Sequence, residues 1–166
     1  MKDGIADRFS KMGSQPELRK GDIRPSLQKI VDYMNKRTPK KVGFHYTPPP
    51  QEISVEINAP IFEWVVENLI RNALDALDGQ GEITLDVIDL DREVQIDLSD
   101  TGKGIPAKLH NQVFKPGFST KKRGWGLGLS LAKRIVEEYH QGEIFVKKSA
   151  PGEGTTFSIV LPKAKD

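Results

Sequence analysis

The chain has 166 residues, 37% hydrophobic and 29% charged, which suits one domain with a sizeable core and a short appendage rather than extended disorder. Its 25 basic and 23 acidic side chains leave a formal net charge of +2, so no overall field draws it toward nucleic acid or an acidic membrane. It has no cysteine, which excludes disulfide frameworks, thiolate nucleophiles and thiolate metal sites and fits a reducing, cytoplasmic setting. No apolar run approaches the roughly 18 residues of a membrane span, and "MKDGIADRFSKMG" lacks the apolar stretch of a signal peptide. The expectation is a soluble domain that itself makes no membrane contact.

In chain order, "GIADRFSKM" is compatible with about two helical turns, Ile5 and Phe9 one turn apart, and with so little apolar surface it needs a partner. It reads as the end of a longer helix, with residues 1–21 set apart from a domain at 22–166. The next segment, "GDIRPSLQKIVDYMNKRTP", predicts a helix with Asp22 as N-cap and Pro25 in the first turn, its apolar face being Ile23, Leu27, Ile30, Val31 and Met34. "KVGFHY" and "EISVEIN" alternate as strands. "PIFEWVVENLIRNALDALDGQG" has helical spacing and a glycine stop, and "EITLDVIDLDREVQIDLSD" predicts a hairpin turning near Asp89 to Arg92. A short helix near Pro106 to Asn111 follows, then a helix over "LSLAKRIVEEYH" and two strands, "GEIFVKKSA" and "GTTFSIVLP". Hairpin connections rather than strict alternation argue for an α+β fold, a two-layer α/β sandwich with helices on one face of a mixed, mainly antiparallel sheet.

Three segments carry chemistry. On the long helix Val66, Leu69, Ile70, Ala73 and Leu77 form one stripe, while Asn68, Asn72 and Asp75 cluster roughly opposite. A solvated face explains that cluster, but such faces favour Lys, Glu or Gln over the poorer helix former Asn. An amide oxygen is a hard neutral donor that suits magnesium bound to phosphate.

"LSDTGKGIP" puts Asp100 at the end of an apolar strand, followed by Gly102, Gly104 and Ile105. An ordinary turn needs only one of those glycines. A carboxylate there can accept from the exocyclic amine of a base, and the glycines would let a flat ring approach the backbone.

Third, Lys115, Lys121, Lys122 and Arg123 surround "PGFST" and lead into Gly124, Gly126 and Gly128 just before a helix. Glycines at a helix start expose N–H groups and the positive end of the dipole, an anion site. A flexible loop is the plainer reading, and Leu127 and Leu129 speak against it, since a linker has no use for alternating large apolar residues.

Together these segments resemble, in order and chemistry, the ATP-binding domain of sensor histidine kinases over residues 22–162. "ENLIRNALDAL" is similar to the family's asparagine box, "DTGKGIP" to its adenine-binding glycine box, "FKPGFSTK" to its phenylalanine box, "GWGLGLSLAKRIVEEYHQGEI" to its second glycine box and "GEGTTFSIVLP" to its last. The resemblance implies the Bergerat ATP-binding fold, with ATP and Mg²⁺ as cofactors. It makes Asn72 the Mg²⁺ ligand, with Asn68 supporting the metal or phosphates, and makes Asp100 the acceptor for the adenine amine. Gly104 would line the base pocket with Gly102 and Ile105, and Thr156 would reach the base through water. Phe114 to Arg123, with Phe118, Ser119, Thr120, Lys121 and Lys122, would be the ATP lid, and the amides from Gly124 through Trp125, Gly126, Leu127, Gly128 and Leu129 would hold phosphate. Lys121 joins Asn68 and Asn72 as a catalytic candidate.

Two positions depart from the family pattern. Asp75, kept among the nucleotide-site positions, stands where many members carry a basic residue, Arg71 being the substitute one turn earlier. Trp125 replaces a common small residue and would pack over either the lid or the nucleotide.

Related ATPases that activate water usually carry glutamate where this chain has Asn68, and an amide cannot act as that base. The resemblance therefore implies transfer of the γ-phosphate to a histidine of the protein's own dimerisation domain, missing from this chain, with a response regulator receiver domain downstream and the parent membrane-anchored. His45, His110 and His140 do not fit the acceptor context, so little or no self-phosphorylation is expected. The alternatives are an ATPase or serine kinase of the same superfamily, or a non-catalytic nucleotide-binding sensor module.

Overall fold

The structure, a computed structural model, describes residues 16–116 and 128–165. Strand β1 (Arg19–Asp22) leads into helix α1 (Arg24–Asn35), strands β2 (Val42–Tyr46) and β3 (Ser54–Ile57), and helix α2 (Ala59–Leu77). The hairpin β4 (Gly81–Asp89) and β5 (Glu93–Asp100) follows, then short 3-10 turns at Ala107–Leu109 and Gln112–Phe114 in place of one short helix. Helix α3 begins at Gly128–Arg134 and widens into π-helical Ile135–Tyr139, and β6 (Glu143–Ser149) and β7 (Thr155–Pro162) close the domain.

The main sheet runs β2-β4-β5-β7-β6, with β2 parallel to β4 and every other pair antiparallel, while β1 and β3 form a separate ribbon. Residues 19–21, read from the sequence as linker, are the first three of β1 and pair with β3.

Helix α2 forms because Asn58 caps it, its side chain accepting from the Ile61 N–H at 3.2 Å, and because Pro60 suits the first turn. It stops where Asp78 turns left-handed (φ 54°) ahead of Gly79. Val66, Leu69, Ile70, Ala73 and Leu77 are all buried, as the stripe predicts, and Ile61, Phe62 and Ile70 are fully so. Each such side chain contributes about 1.5–3 kcal/mol by leaving water. Helices α1 and α3 both pack against α2, which itself packs on β4 and β5. Among the described residues no helix is long and apolar enough to cross a membrane.

The start of α1 differs from expectation. Its cap position is Ile23, whose side chain cannot accept a hydrogen bond, while Asp22 accepts from the backbone N–H of Arg24 at 3.2 Å and of Ile53 at 3.1 Å. Asp22 belongs to β1, so its carboxylate ties strand to helix from one residue further out. Burial works against its ionisation, yet the Ile53 and Arg24 hydrogen bonds win and hold it below the usual carboxylate range.

Strand periodicity sorts the sheet into two faces. On β5, Val94, Ile96, Leu98 and Asp100 share a face; on β7 the residues paired with them are Leu161, Ile159, Phe157 and Thr155. This is the buried apolar face, so Asp100 sits at its end as a polar residue in a core row. The opposite face carries Asp97, which accepts from Ser158 at 2.6 Å, Lys147 at 2.7 Å and Gln95 at 3.0 Å.

Candidate functional site

Four elements converge at the C-terminal end of β5. Asp100 ends that strand and is 9% exposed, and its Oδ1 accepts from the Gly102 N–H at 2.8 Å, which fixes the carboxylate's orientation. The following loop is pinned at each step. The Lys103 N–H donates to the Ala76 carbonyl near the end of α2, the Ile105 N–H to Ser149 Oγ at 2.7 Å, and His110 Nε2 to the Ile105 carbonyl at 2.9 Å.

The two glycines of this loop are required by backbone packing. A Cβ on Gly102 would lie 2.5 Å from the Ala76 carbonyl oxygen, and one on Gly104, whose φ is +79°, would lie 1.9 Å from that of Ala150. Their missing side chains let the loop lie against α2 and against the β6–β7 turn.

Asn68 is buried at 6% exposure, so the solvated-face reading does not apply to it. A Cβ on Gly128, the first residue of α3, would meet its Oδ1 at 2.7 Å and its Nδ2 at 2.9 Å. The structure thus brings the asparagine helix against the end of the glycine run. Among the described residues Asn68 Nδ2 is buried with no hydrogen-bond partner. A lone buried N–H donor of this kind matches a phosphate oxygen.

Asn72, one turn on, is partly exposed, and Asp75 is exposed. The guanidinium of Arg71, on the same helix, donates to Glu67 Oε2 at 2.6 and 2.9 Å. Leu129 packs against the core, as an anchor for α3 should.

Thr156 and Asp100 are not brought together. Thr156 pairs with Ser99, their hydroxyls 2.8 Å apart, on the opposite face of the sheet. Thr155 is the residue paired with Asp100, and it is 5% exposed. Of two adjacent threonines only one can face the helices, and the β5–β7 register selects Thr155.

Phe114 anchors the start of the expected lid, buried edge-on against Phe157 with centroids 6.0 Å apart. Phe118, Ser119, Thr120, Lys121, Lys122, Arg123, Gly124, Trp125, Gly126 and Leu127 lie outside the described residues.

His140 takes a core role. Its Nδ1 donates to the Ile135 carbonyl at 3.0 Å and its Nε2 accepts from the Asn58 N–H at 3.1 Å, which joins the π-helical end of α3 to the cap of α2. Only the neutral ring makes both bonds. Burial pushes its pKa below the usual histidine value, against an opposing pull from the Ile135 bond. The native state then binds fewer protons than the unfolded chain, so stability is full above about pH 6.5 and falls as pH drops toward the lowered native value. Chemical denaturation from about pH 7.5 down to about pH 5 should show this loss, by at most about 1.4 kcal/mol per pH unit. His140→Gln should flatten that slope, and an unchanged slope would remove His140 as its source.

The profile of the histidine kinase-, DNA gyrase B-, and HSP90-like ATPase family matches residues 57–165. The chain belongs to that family. It is 31% identical to the adaptive-response sensory kinase SasA of Crocosphaera subtropica over 95% of this chain and 43% of SasA. It is 37% identical to the signal transduction histidine-protein kinase AtoS of Escherichia coli over 65% of this chain and 18% of AtoS. The chain therefore spans less than half the length of these kinases. Among solved structures, the catalytic domain of histidine kinase ThkA superposes with a TM-score of 0.80 at 26% identity, covering 89% of this chain and 96% of that one. The fold is that of a histidine kinase catalytic, ATP-binding domain.

Among the described residues no cluster of three or more His, Cys, Asp or Glu side chains could hold a metal alone. Magnesium beside a nucleotide takes few protein ligands and keeps phosphate oxygens and water for the rest, and Asn72, partly exposed one turn beyond Asn68, carries a hard amide oxygen that could serve as one of them.

Proposed function

We infer that this domain binds Mg²⁺-ATP and donates the γ-phosphate to a histidine of a dimerisation domain in the same protein, a response regulator receiver domain accepting it afterwards. The observation that supports this most is the meeting of Asn68 with Gly128, which sets an amide donor with no partner among the described residues beside the start of α3. Asn68 would bind phosphate through Nδ2, Asn72 would hold magnesium through Oδ1, and Asp100 would accept from the adenine amine. Magnesium, when bound, would neutralise charge on the phosphates. Lys121 and Lys122 would add charge from the lid. Asn68 cannot take a proton from water, so the side chains act by positioning and charge complementarity toward a protein acceptor. We place the domain in the cytoplasm.

The test mixes the domain with its dimerisation domain, Mg²⁺ and γ-labelled ATP. Acid-labile, alkali-stable label on the dimerisation domain, with little or none on this domain, is the expected result. Phosphate release without protein label would make it an ATPase, acid-stable label a serine kinase, and binding without either a sensor module.

A further inference from the structure

Ser149, which no part of the proposed chemistry uses, is a node between the glycine loop and the residue opposite Asp100. Its Oγ accepts from the Ile105 N–H at 2.7 Å, donates to the Gly154 carbonyl at 3.0 Å, and lies 2.7 Å from Thr155 Oγ1. A serine hydroxyl has one proton and two lone pairs. The Ile105 amide can only donate and so occupies one lone pair, while the Gly154 carbonyl can only accept and so takes the proton. What remains toward Thr155 is a lone pair, and Thr155 must therefore donate to Ser149.

With its proton committed to Ser149, the Thr155 hydroxyl has only acceptor capacity left for anything bound beside it. Its register partner Asp100 is a carboxylate on the same face, also an acceptor. Two acceptors side by side match a group that donates two hydrogens, such as a purine amine or a water held under it. They mismatch a purine carrying a carbonyl oxygen at that position.

We propose that Ser149 is a positioning and specificity-determining residue that fixes the hydrogen-bond polarity of Thr155 and so selects 6-amino over 6-oxo purine nucleotides. It acts through Thr155 and touches no ligand itself. The proposal rests on the nucleotide-site reading of Asp100.

ADP and inosine diphosphate, which carry an amine and a carbonyl at the purine 6-position, are the probes, titrated calorimetrically well below the melting temperature. Wild-type protein should prefer ADP. Ser149→Ala frees the Thr155 proton to rotate, and the ADP preference should narrow roughly tenfold, the size of one hydrogen bond. Ser149→Thr keeps the hydroxyl and should retain the preference. Thr155→Val should narrow it as Ser149→Ala does, and the double variant should go no further, because both changes remove one device. A merely structural Ser149 would lower the melting temperature and leave the ratio alone, and that result, or an unchanged ratio in Thr155→Val, overturns the proposal. Wild-type protein that binds both nucleotides equally would instead defeat the Asp100 reading.

Discussion

Gly154→Ala is expected to lower the thermal midpoint by roughly 10 °C, because about 3–5 kcal/mol of stability is at stake in a domain of this size. Gly154 has φ +80°, and a Cβ there would stand 2.1 Å from the Asp100 carbonyl oxygen and 3.2 Å from the Thr101 Cα. Both atoms are backbone, and Asp100 ends the β5–β7 ladder, so they cannot swing aside as a long side chain would. Part of the cost is the left-handed backbone itself, about 1 kcal/mol or more for alanine. Gly152 supplies the control, since its φ is +78° with nothing within 4 Å of its Cβ position. Gly152→Ala should therefore shift the midpoint by only a few degrees. Equal shifts in thermal denaturation would show that the close approach at Gly154 is not what requires glycine. The strand shift forced at Gly154 would also move Asp100, so nucleotide affinity should fall with stability in this variant alone.

Much of the scaffold is legible in the sequence because local and global preferences agree. The apolar stripe of α2 and the β4–β5 alternation appear where the periodicities put them. The start of α1 is less legible. Asp22 resembles a cap by residue type, but its carboxylate also serves Ile53, 31 residues away, a pairing that local pattern does not carry. The end of α3 has the same character. "RIVEEYH" reads as plain helix, whereas the ring wires His140 to Ile135 and Asn58, and the backbone N–H of His140 bonds Ile135, five residues back, at 3.1 Å.

The site shows the same division. Asn68, Asp100 and Gly128 are conspicuous as types in unusual places, and the fold brings Asn68 and Gly128 together and buries Asn68 and Asp100. Thr155 and Thr156 are identical neighbours, and only the register with β5 tells which one shares the face of Asp100. Ser149 gives no signal at all in "VKKSA". Its role arises from three partners, Ile105, Gly154 and Thr155, the first of them 44 residues earlier. Gly102 and Gly104 stand out in the sequence, but that their absent side chains make room for the Ala76 and Ala150 carbonyls depends on contacts distant in the chain.

Asp100, at the end of β5, is proposed to read a purine amine, and Asp100→Asn tests that with little disturbance to the fold. Asparagine keeps an Oδ1 to accept from the Gly102 N–H, now 2.8 Å from the carboxylate, so the loop stays tethered. In the proposed complex the second oxygen would be replaced by an N–H donor facing another donor, the amine of the base. Losing a hydrogen bond to a charged acceptor costs about 1.5–3 kcal/mol, or about 10- to 100-fold in affinity. Inosine diphosphate offers a carbonyl there and should not share the loss. Calorimetric titration of wild type and Asp100→Asn with ADP and inosine diphosphate is the direct measurement. The expected result is an ADP affinity weakened about 10- to 100-fold with the purine preference narrowed or reversed, whereas an unchanged ADP affinity in the folded variant would remove Asp100 as the reader of the amine.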